Sequence, residues 1–330
     1  MSVSPLPVFD DVLAAAERVK CLALRTPVLR NAAIDEAVGA EVFIKPESLQ
    51  VTGSFKIRGA TNRIAQISNA DEKAAGVVAF SSGNHAQGVA RAARHFEMPA
   101  LIVMPEDAPE VKVQGVLSDG AEVRIYDRTH ESREKIAVEL ARERGAVLVP
   151  SYDDRHVIAG QGTVGLELVQ DLDAANVQLD HYISCAGGGG LLAGAALAFE
   201  ALCPATKLWS AEPEAYDDHR QSFQAGELRR VREGAKSFCD AIQTPQPGDL
   251  TFAINKDRVA GGLAADDEQI AAAMRLAYQH LNLVVEPGGA AALACAMFDL
   301  PPEAKGKRVG LVLSGGNVDA SLYSRVLSAD

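Results

Sequence analysis

The chain has 330 residues, a length that predicts two domains, each with a core of its own. Its net charge of −12 argues against a nucleic-acid-binding or anionic-membrane-binding surface, because such surfaces are basic. The 5 cysteines are scattered without a CxxC pair, which argues against a disulfide framework or a zinc site and is typical of a cytoplasmic protein.

Short apolar, β-branched runs alternate along the chain with longer helical patterns. The predicted strands are residues 42–45, 77–81, 101–104, 123–126, 147–149, 182–185, 208–211 and 309–313. This alternation predicts an α/β protein with parallel sheets covered on both sides. Residues 226–258 are polar and contain two prolines, and they are interpreted as one long functional loop. No apolar run approaches the roughly 20 residues needed to span a membrane, so we expect no membrane partner.

The first motif in chain order, TGSFKIRGA at residues 52–60, places Lys56 between two apolar residues at the start of an amphipathic helix. Partial desolvation and the positive helix end both lower the pKa of an amine and make it a nucleophile. For this lysine taken alone, a solvated surface charge is the simpler interpretation.

The second motif, SSGNHAQG at residues 81–88, follows a predicted strand and opens a helix. Its hydroxyls, amide and free N–H groups have the chemistry to bind a carboxylate. A helix-capping serine explains the same letters equally well.

The third motif, CAGGGGLLAG at residues 185–194, joins a strand to a helix through four successive glycines. Backbone N–H groups without side chains, at a helix N-terminus, form a cradle for an anion such as a phosphate. Glu212 ends the next strand about 20 residues on, as in a dinucleotide-binding fold, so a nicotinamide-linked oxidoreductase is one hypothesis. A last turn, LSGGN at residues 313–317, ends the final strand, where open α/β sheets bind ligands.

Taken together, TGSFKIRGA, SSGNHAQG, AGQGT (159–163), GGGGLLAG, EPGGA (286–290) and SGGN resemble the pyridoxal-phosphate enzymes of fold type II. The motifs follow that family's order from residue 52 to residue 317, and they are most similar to the threonine/serine dehydratase and serine racemase branch. The glycines then bind the phosphate of pyridoxal 5'-phosphate. A nicotinamide-linked or non-catalytic metabolite-binding protein becomes the distant alternative.

The resemblance implies a two-domain, tryptophan synthase β-like fold in which each domain is an open, mostly parallel sheet flanked by helices. Residues 1–73 and 150–330 would form the large cofactor-binding domain, and residues 74–149 a small mobile domain. Because the chain ends soon after Asn317, no C-terminal regulatory domain is expected. The resemblance also implies a cytoplasmic homodimer that acts on a small amino acid.

The resemblance assigns roles to individual residues. Lys56 would form the Schiff base with the cofactor and take the Cα proton, and Ser82 matches the second acid/base of the racemases. The remaining cofactor contacts would be Phe55, Asn84, Gly187, Gly188, Gly189, Gly190, Leu191 and Ser314, the last facing the ring nitrogen with a neutral hydroxyl. The substrate carboxylate would lie against Ser81, Ser82, Gly83, Asn84 and His85. Glu212, Asp218 and the carbonyl of Tyr216 would bind Mg²⁺ or another divalent cation.

The implied reaction is the β-elimination of water from L-serine or L-threonine, giving a 2-oxo acid and ammonia. Serine racemase, or a dehydratase of another 3-hydroxy amino acid such as 3-hydroxyaspartate, are the alternatives. Ala241 stands where relatives commonly have glycine beside the ring. We therefore expect the polar loop that follows Ala241 to determine the choice of substrate.

Overall fold

The structure, a computed structural model, describes residues 5–81, 83–108 and 110–328. The strands are β1 (Glu41–Pro46), β2 (Val77–Phe80), β3 (Ala100–Pro105), β4 (Glu122–Tyr126), β5 (Val147–Leu148), β6 (His181–Cys185), β7 (Lys207–Pro213), β8 (Val259–Ala265) and β9 (Arg308–Leu313). The helices are α1 (Phe9–Val19), α2 (Ala32–Val38), α3 (Lys56–Ala65), α4 (Ala70–Ala75), α5 (Asn84–His95), α6 (Glu110–Ser118), α7 (Arg133–Arg144), α8 (Arg155–Ala174), α9 (Gly190–Leu202), α10 (Asp218–Ala225), α11 (Asp249–Asn255), α12 (Asp267–Leu281), α13 (Pro287–Phe298) and α14 (Ala320–Ser328).

The strands form two parallel sheets. One has five strands in the order β1-β9-β6-β7-β8, and the other has four in the order β4-β3-β2-β5. Helices cover both sheets, as a parallel sheet requires, and every residue of β3 is buried. The predicted α/β fold class is therefore confirmed. The smaller sheet lies between residues 77 and 148, whereas the domain boundaries and the mobility of residues 74–149 stay predictions.

The predicted strands overlap β1 to β7 and β9, but β8 is not among them. Its sequence, VAGGLAA, has one β-branched residue and lies at the edge of its sheet, so it lacks the pattern of a buried strand. The interpretation of residues 226–258 as one loop is wrong at its end, where α11 forms. Asp153 accepts hydrogen bonds from the first N–H groups of this short helix and so stabilises it.

Three of the motifs converge because each follows the carboxyl end of a strand. Ser81 follows β2, Gly187 comes just after β6, and Ser314 comes directly after β9. Carboxyl ends of parallel strands meet at one edge of a sheet, where α/β proteins bind ligands. Gly187 and Ser314 therefore lie at one edge of the larger sheet, whereas Ser81 lies at the corresponding edge of the smaller sheet. The antiparallel bridge between Ser54 and Gly315 brings the start of α3 to the same place. Among the helices that the structure describes, none is long and apolar enough to cross a bilayer.

Candidate active site

Lys56 borders a cavity that is also lined by residues that follow strands of both sheets. It is the first residue of α3, and its Nζ donates a hydrogen bond to the carbonyl of Ser151 at 2.9 Å. Desolvation lowers the pKa of Lys56 to about 8, although the negative charge of Glu286 partly opposes the shift. The predicted nucleophilic amine therefore loses its proton near pH 8, at a lower pH than an ordinary lysine.

This cavity has a volume of about 240 Å³, and most of the predicted site residues border it. These are Phe55, Lys56, Ser81, Gly83, Asn84, His85, Gly187, Gly188, Gly189, Gly190, Leu191 and Ser314. Ser82 lies outside the described residues. The structure thus brings the predicted cofactor and carboxylate residues to one cavity, while the role of each stays a prediction.

The glycine loop connects β6 to α9 at the wall of this cavity. Gly189 has a φ of +89°, which favours glycine, and it is the N-cap of α9. The ring of Tyr152 packs flat against the loop, so that a Cβ atom at Gly188 would overlap the ring. The loop therefore presents backbone, without side chains, at a helix N-terminus, which is the chemistry of a phosphate site.

Asn84 is held at both ends of its amide. Its Nδ2 donates to Glu286 Oε1 at 2.5 Å, and its Oδ1 accepts from Asn317 Nδ2 at 2.7 Å. Burial raises the pKa of Glu286 to about 7. The EPGGA motif by itself suggests no role for Glu286. The one feature of the sequence that singles out this residue is its position as an acid at the start of an apolar helix.

His85 is buried and neutral. Its Nε2 lies 2.8 Å from the carbonyl oxygen of Val149, which can only accept, so Nε2 carries the hydrogen. Burial lowers the pKa of His85 to about 3. The predicted carboxylate loop therefore has no charge on this side chain, and its backbone N–H groups and hydroxyls remain to bind an anion.

Ser314 presents a neutral hydroxyl at the cavity wall, beside the thiol of Cys185. Burial raises the pKa of Cys185 to about 11, so this thiol is uncharged at neutral pH. Neither Ser314 nor Cys185 therefore places a charged acidic group on the wall that the resemblance assigns to the ring nitrogen.

Arg133 borders the same cavity, and no motif in the sequence singles it out. It is at the first position of α7, where its guanidinium lies 5.7 Å from the centroid of the Phe80 ring. Its Nε pairs with Glu134 Oε1 at 2.8 Å in an ion pair that solvent reaches. Apart from Lys56, it is the only lysine or arginine among the described residues that border the cavity.

The predicted cation ligands lie together, away from the cavity. Glu212 accepts N–H groups from His219 at 2.7 Å and Arg220 at 2.9 Å, whereas neither carboxylate oxygen of Asp218 has a hydrogen-bond partner in the described part of the chain. Burial raises the pKa of Asp218 to about 8. Within residues 5–81, 83–108 and 110–328, no group of three or more His, Cys, Asp or Glu side chains could hold a metal. The cation site therefore stays a prediction. The carboxylate of Asp218, which has no hydrogen-bond partner among the described residues, is consistent with it.

The chain is similar to known proteins over nearly its whole length. The family model for pyridoxal-phosphate dependent enzymes matches residues 21–315. An L-threo-3-hydroxyaspartate ammonia-lyase from Pseudomonas sp is 46% identical over 97% of this chain and 98% of that protein. A serine racemase from Schizosaccharomyces pombe is 42% identical over 98% of both chains. The solved structure of a serine racemase from maize is 36% identical, with a TM-score of 0.90 over 97% of both chains.

Proposed function

The chain belongs to the pyridoxal-phosphate-dependent enzymes of fold type II, and on that premise we propose that it is an ammonia-lyase for a 3-hydroxy amino acid with an acidic side chain, L-threo-3-hydroxyaspartate. The net products are oxaloacetate and ammonia. One water molecule is eliminated and one is consumed by the hydrolysis that follows. Serine and threonine, expected first from the motifs, become secondary substrates. The observation that carries this choice is Arg133 at the edge of the cavity.

Arg133 supplies the positive charge that an acidic side chain needs. The Ser81–His85 loop serves the α-carboxylate, as expected from the sequence, so a second cation has no obvious use with serine or threonine. The Arg133–Glu134 pair is exposed on both sides, at 38% and 55%, and such pairs contribute only about 0–1 kcal/mol. A substrate carboxylate that binds the guanidinium through two hydrogen bonds can therefore displace Glu134.

The residues around the cavity fit pyridoxal phosphate. Lys56 would provide the amine that binds the cofactor and moves the Cα proton, and the Ser151 carbonyl accepts a hydrogen bond from that amine at the cavity. The glycine loop provides the phosphate cradle, and Phe55 packs beside Lys56. When bound, the cofactor supplies an electron-withdrawing ring that stabilises negative charge at Cα.

Ser314 and Asn84 would influence how strongly that ring withdraws electrons. A hydroxyl at Ser314 does not hold the ring nitrogen protonated as a carboxylate would, so loss of the β-hydroxyl is favoured over prolonged storage of charge in the ring. Asn84, which Glu286 and Asn317 hold in place, would contact the ring hydroxyl of the cofactor. The neutral hydroxyl of Ser314 would thus support elimination over exchange of the Cα proton.

A divalent cation, Mg²⁺ in the simplest case, completes the proposal. Asp218 is 1% exposed and both of its oxygens lack partners among the described residues, an arrangement that a hard cation relieves. Glu212 and the carbonyl of Tyr216 are the other ligands that the resemblance implies. The cation would be structural, because this cluster does not border the cavity.

Serine racemase is the second candidate, because a relative of that name is 42% identical. The deciding experiment offers L-serine, D-serine, L-threonine and the stereoisomers of 3-hydroxyaspartate to the purified protein. Ammonia and 2-oxo acid release are measured together with chiral chromatography. We expect kcat/KM for L-threo-3-hydroxyaspartate to exceed that for L-serine at least about tenfold, the value of one good ionic contact. Faster formation of D-serine than of any 2-oxo acid would instead make the protein a racemase.

A further inference from the structure

Three buried side chains donate hydrogen bonds to the carbonyls of three consecutive glycines in the phosphate loop. The pairs are His219 Nε2 with Gly187 O at 2.8 Å, Thr251 Oγ1 with Gly188 O at 2.6 Å, and Asn255 Nδ2 with Gly189 O at 3.4 Å. All three donors are 0% exposed. They come from two helices that are remote from the loop in sequence.

These hydrogen bonds help to fix the direction of the loop's N–H groups. Backbone N–H groups contribute as well, because Gly248 donates to Gly188 O at 3.3 Å and Ala193 donates to Gly189 O at 2.9 Å. The carbonyl and the N–H of one peptide unit point in opposite directions because the unit is planar and trans. When the carbonyls of Gly187, Gly188 and Gly189 are held on the outer side, the N–H groups of the residues that follow them face the opposite side. The cavity borders the loop, and N–H donors on that opposite side would face it.

A run of glycines needs such external restraints. Glycine loses more backbone freedom on ordering than any other residue, so an unrestrained loop would spend much of its time with its N–H groups misdirected. Donors that are already oriented bind an anion without this ordering cost. The three side chains therefore act on an anion through the loop and not by touching it.

The donors are themselves held in place. Thr251 and Asn255 are four residues apart and so share one face of α11. Asp153 Oδ1 accepts from the N–H groups of Leu250 and Thr251 at 2.9 and 3.2 Å, which fixes the N-terminus of that helix. His219 follows the first residue of α10, and its N–H donates to Glu212.

We propose that Thr251, together with Asn255 and His219, is a positioning residue for the cofactor phosphate, because it locks the glycine carbonyls outward. The inference rests on the proposed placement of that phosphate in the glycine loop and on no choice of substrate. Thr251 and Asn255 lie in a segment whose sequence predicts only a loop, and none of the three side chains borders the cavity.

The test compares two ligands that differ only in the phosphate. Cofactor-free wild-type, Thr251→Val and Thr251→Ser proteins are titrated with pyridoxal phosphate and with pyridoxal. Valine keeps the shape of threonine without the donor, and serine keeps the donor. We expect Thr251→Val to weaken pyridoxal phosphate binding about tenfold and pyridoxal binding less than about twofold, with Thr251→Ser close to wild type for both.

The outcomes separate the two proposals. If wild-type protein binds both ligands equally, the phosphate is not in the glycine loop and the proposed cofactor site is wrong. If wild type prefers pyridoxal phosphate and Thr251→Val keeps that preference in full, or loses affinity for both ligands alike, the positioning role alone is overturned. For variants that do not survive cofactor removal, the ³¹P NMR resonance of the holoenzyme serves instead. It should move in Thr251→Val and not in Thr251→Ser, and an unmoved resonance contradicts the proposal.

Discussion

Lys112 Nζ lies 2.5 Å from Asp240 Oδ2, and this contact joins α6 to the turn that borders the cavity from the side of the larger sheet. Of the ion pairs formed within the described ranges, it is the only one that links residues 74–149 to the rest of the chain. A Cβ atom at Gly83 would lie 3.5 Å from the same Nζ. The pair therefore sets the spacing between the carboxylate loop and the opposite wall.

Loss of this ion pair should weaken substrate binding more than turnover. In Lys112→Met the partner Asp240 stays solvated, because it is 47% exposed, while the buried Glu286 loses a nearby positive charge that favours its ionised form. We expect KM to rise about fivefold and kcat to change less than about twofold, as the loop is less well positioned. The Lys112→Asp/Asp240→Lys double variant should recover part of the loss. A wild-type KM in Lys112→Met would show that the pair has no part in substrate binding.

Cofactor uptake should report the pKa of Lys56. The amine attacks only when neutral, and desolvation lowers its pKa from its ordinary value to about 8. The rate at which cofactor-free protein takes up pyridoxal phosphate should therefore rise with pH and reach half its maximum near pH 8. A midpoint near about 10 would indicate an ordinary lysine. Borohydride should fix the cofactor to Lys56, and Lys56→Ala should give no adduct by mass spectrometry.

Arg133 should discriminate between acidic and neutral substrates. In Arg133→Met we expect kcat/KM for L-threo-3-hydroxyaspartate to fall at least about tenfold, while kcat/KM for L-serine changes less than about threefold. Arg133→Lys should keep part of the preference, since it retains the charge but not the planar fork. Glu134→Gln is the matched control, because it frees the guanidinium and should not weaken the acidic substrate. An equal loss for both substrates would assign Arg133 to general binding or to folding.

Mg²⁺ should stabilise the protein through Asp218. At about a hundredfold excess over its dissociation constant, a ligand adds roughly 2.7 kcal/mol to the free energy of unfolding, which should raise the wild-type Tm by about 5 °C or more. Asp218→Asn should abolish this response and should exceed wild type in Tm without the cation, because an unpaired buried carboxylate has been removed. Asp217→Asn is the control and should respond like wild type. A response that survives in Asp218→Asn places the cation elsewhere.

The sequence is sufficient for those parts of the site that follow strands as continuous motifs. The glycine loop and Ser314 can be placed together because carboxyl ends of parallel strands converge, and Lys56 can be added through the resemblance of its motif. Arg133 and Tyr152 cannot, since each reaches the cavity only through the packing of segments that carry no motif. The donors Thr251 and Asn255 escape prediction for a related reason: the prolines before α11 and its short length conceal a helix that the side chain of Asp153 helps to stabilise.

The contact between Tyr152 and Gly188 restricts how the enzyme can be altered. The ring of Tyr152 lies where a Cβ atom at Gly188 would be. A larger residue at position 188 therefore requires a smaller residue at position 152. A library that randomises position 188 in the presence of Tyr152 should return glycine, whereas one that randomises both positions can exchange the bulk from one to the other. Mutational paths to a reshaped cofactor pocket therefore begin with a smaller residue at position 152.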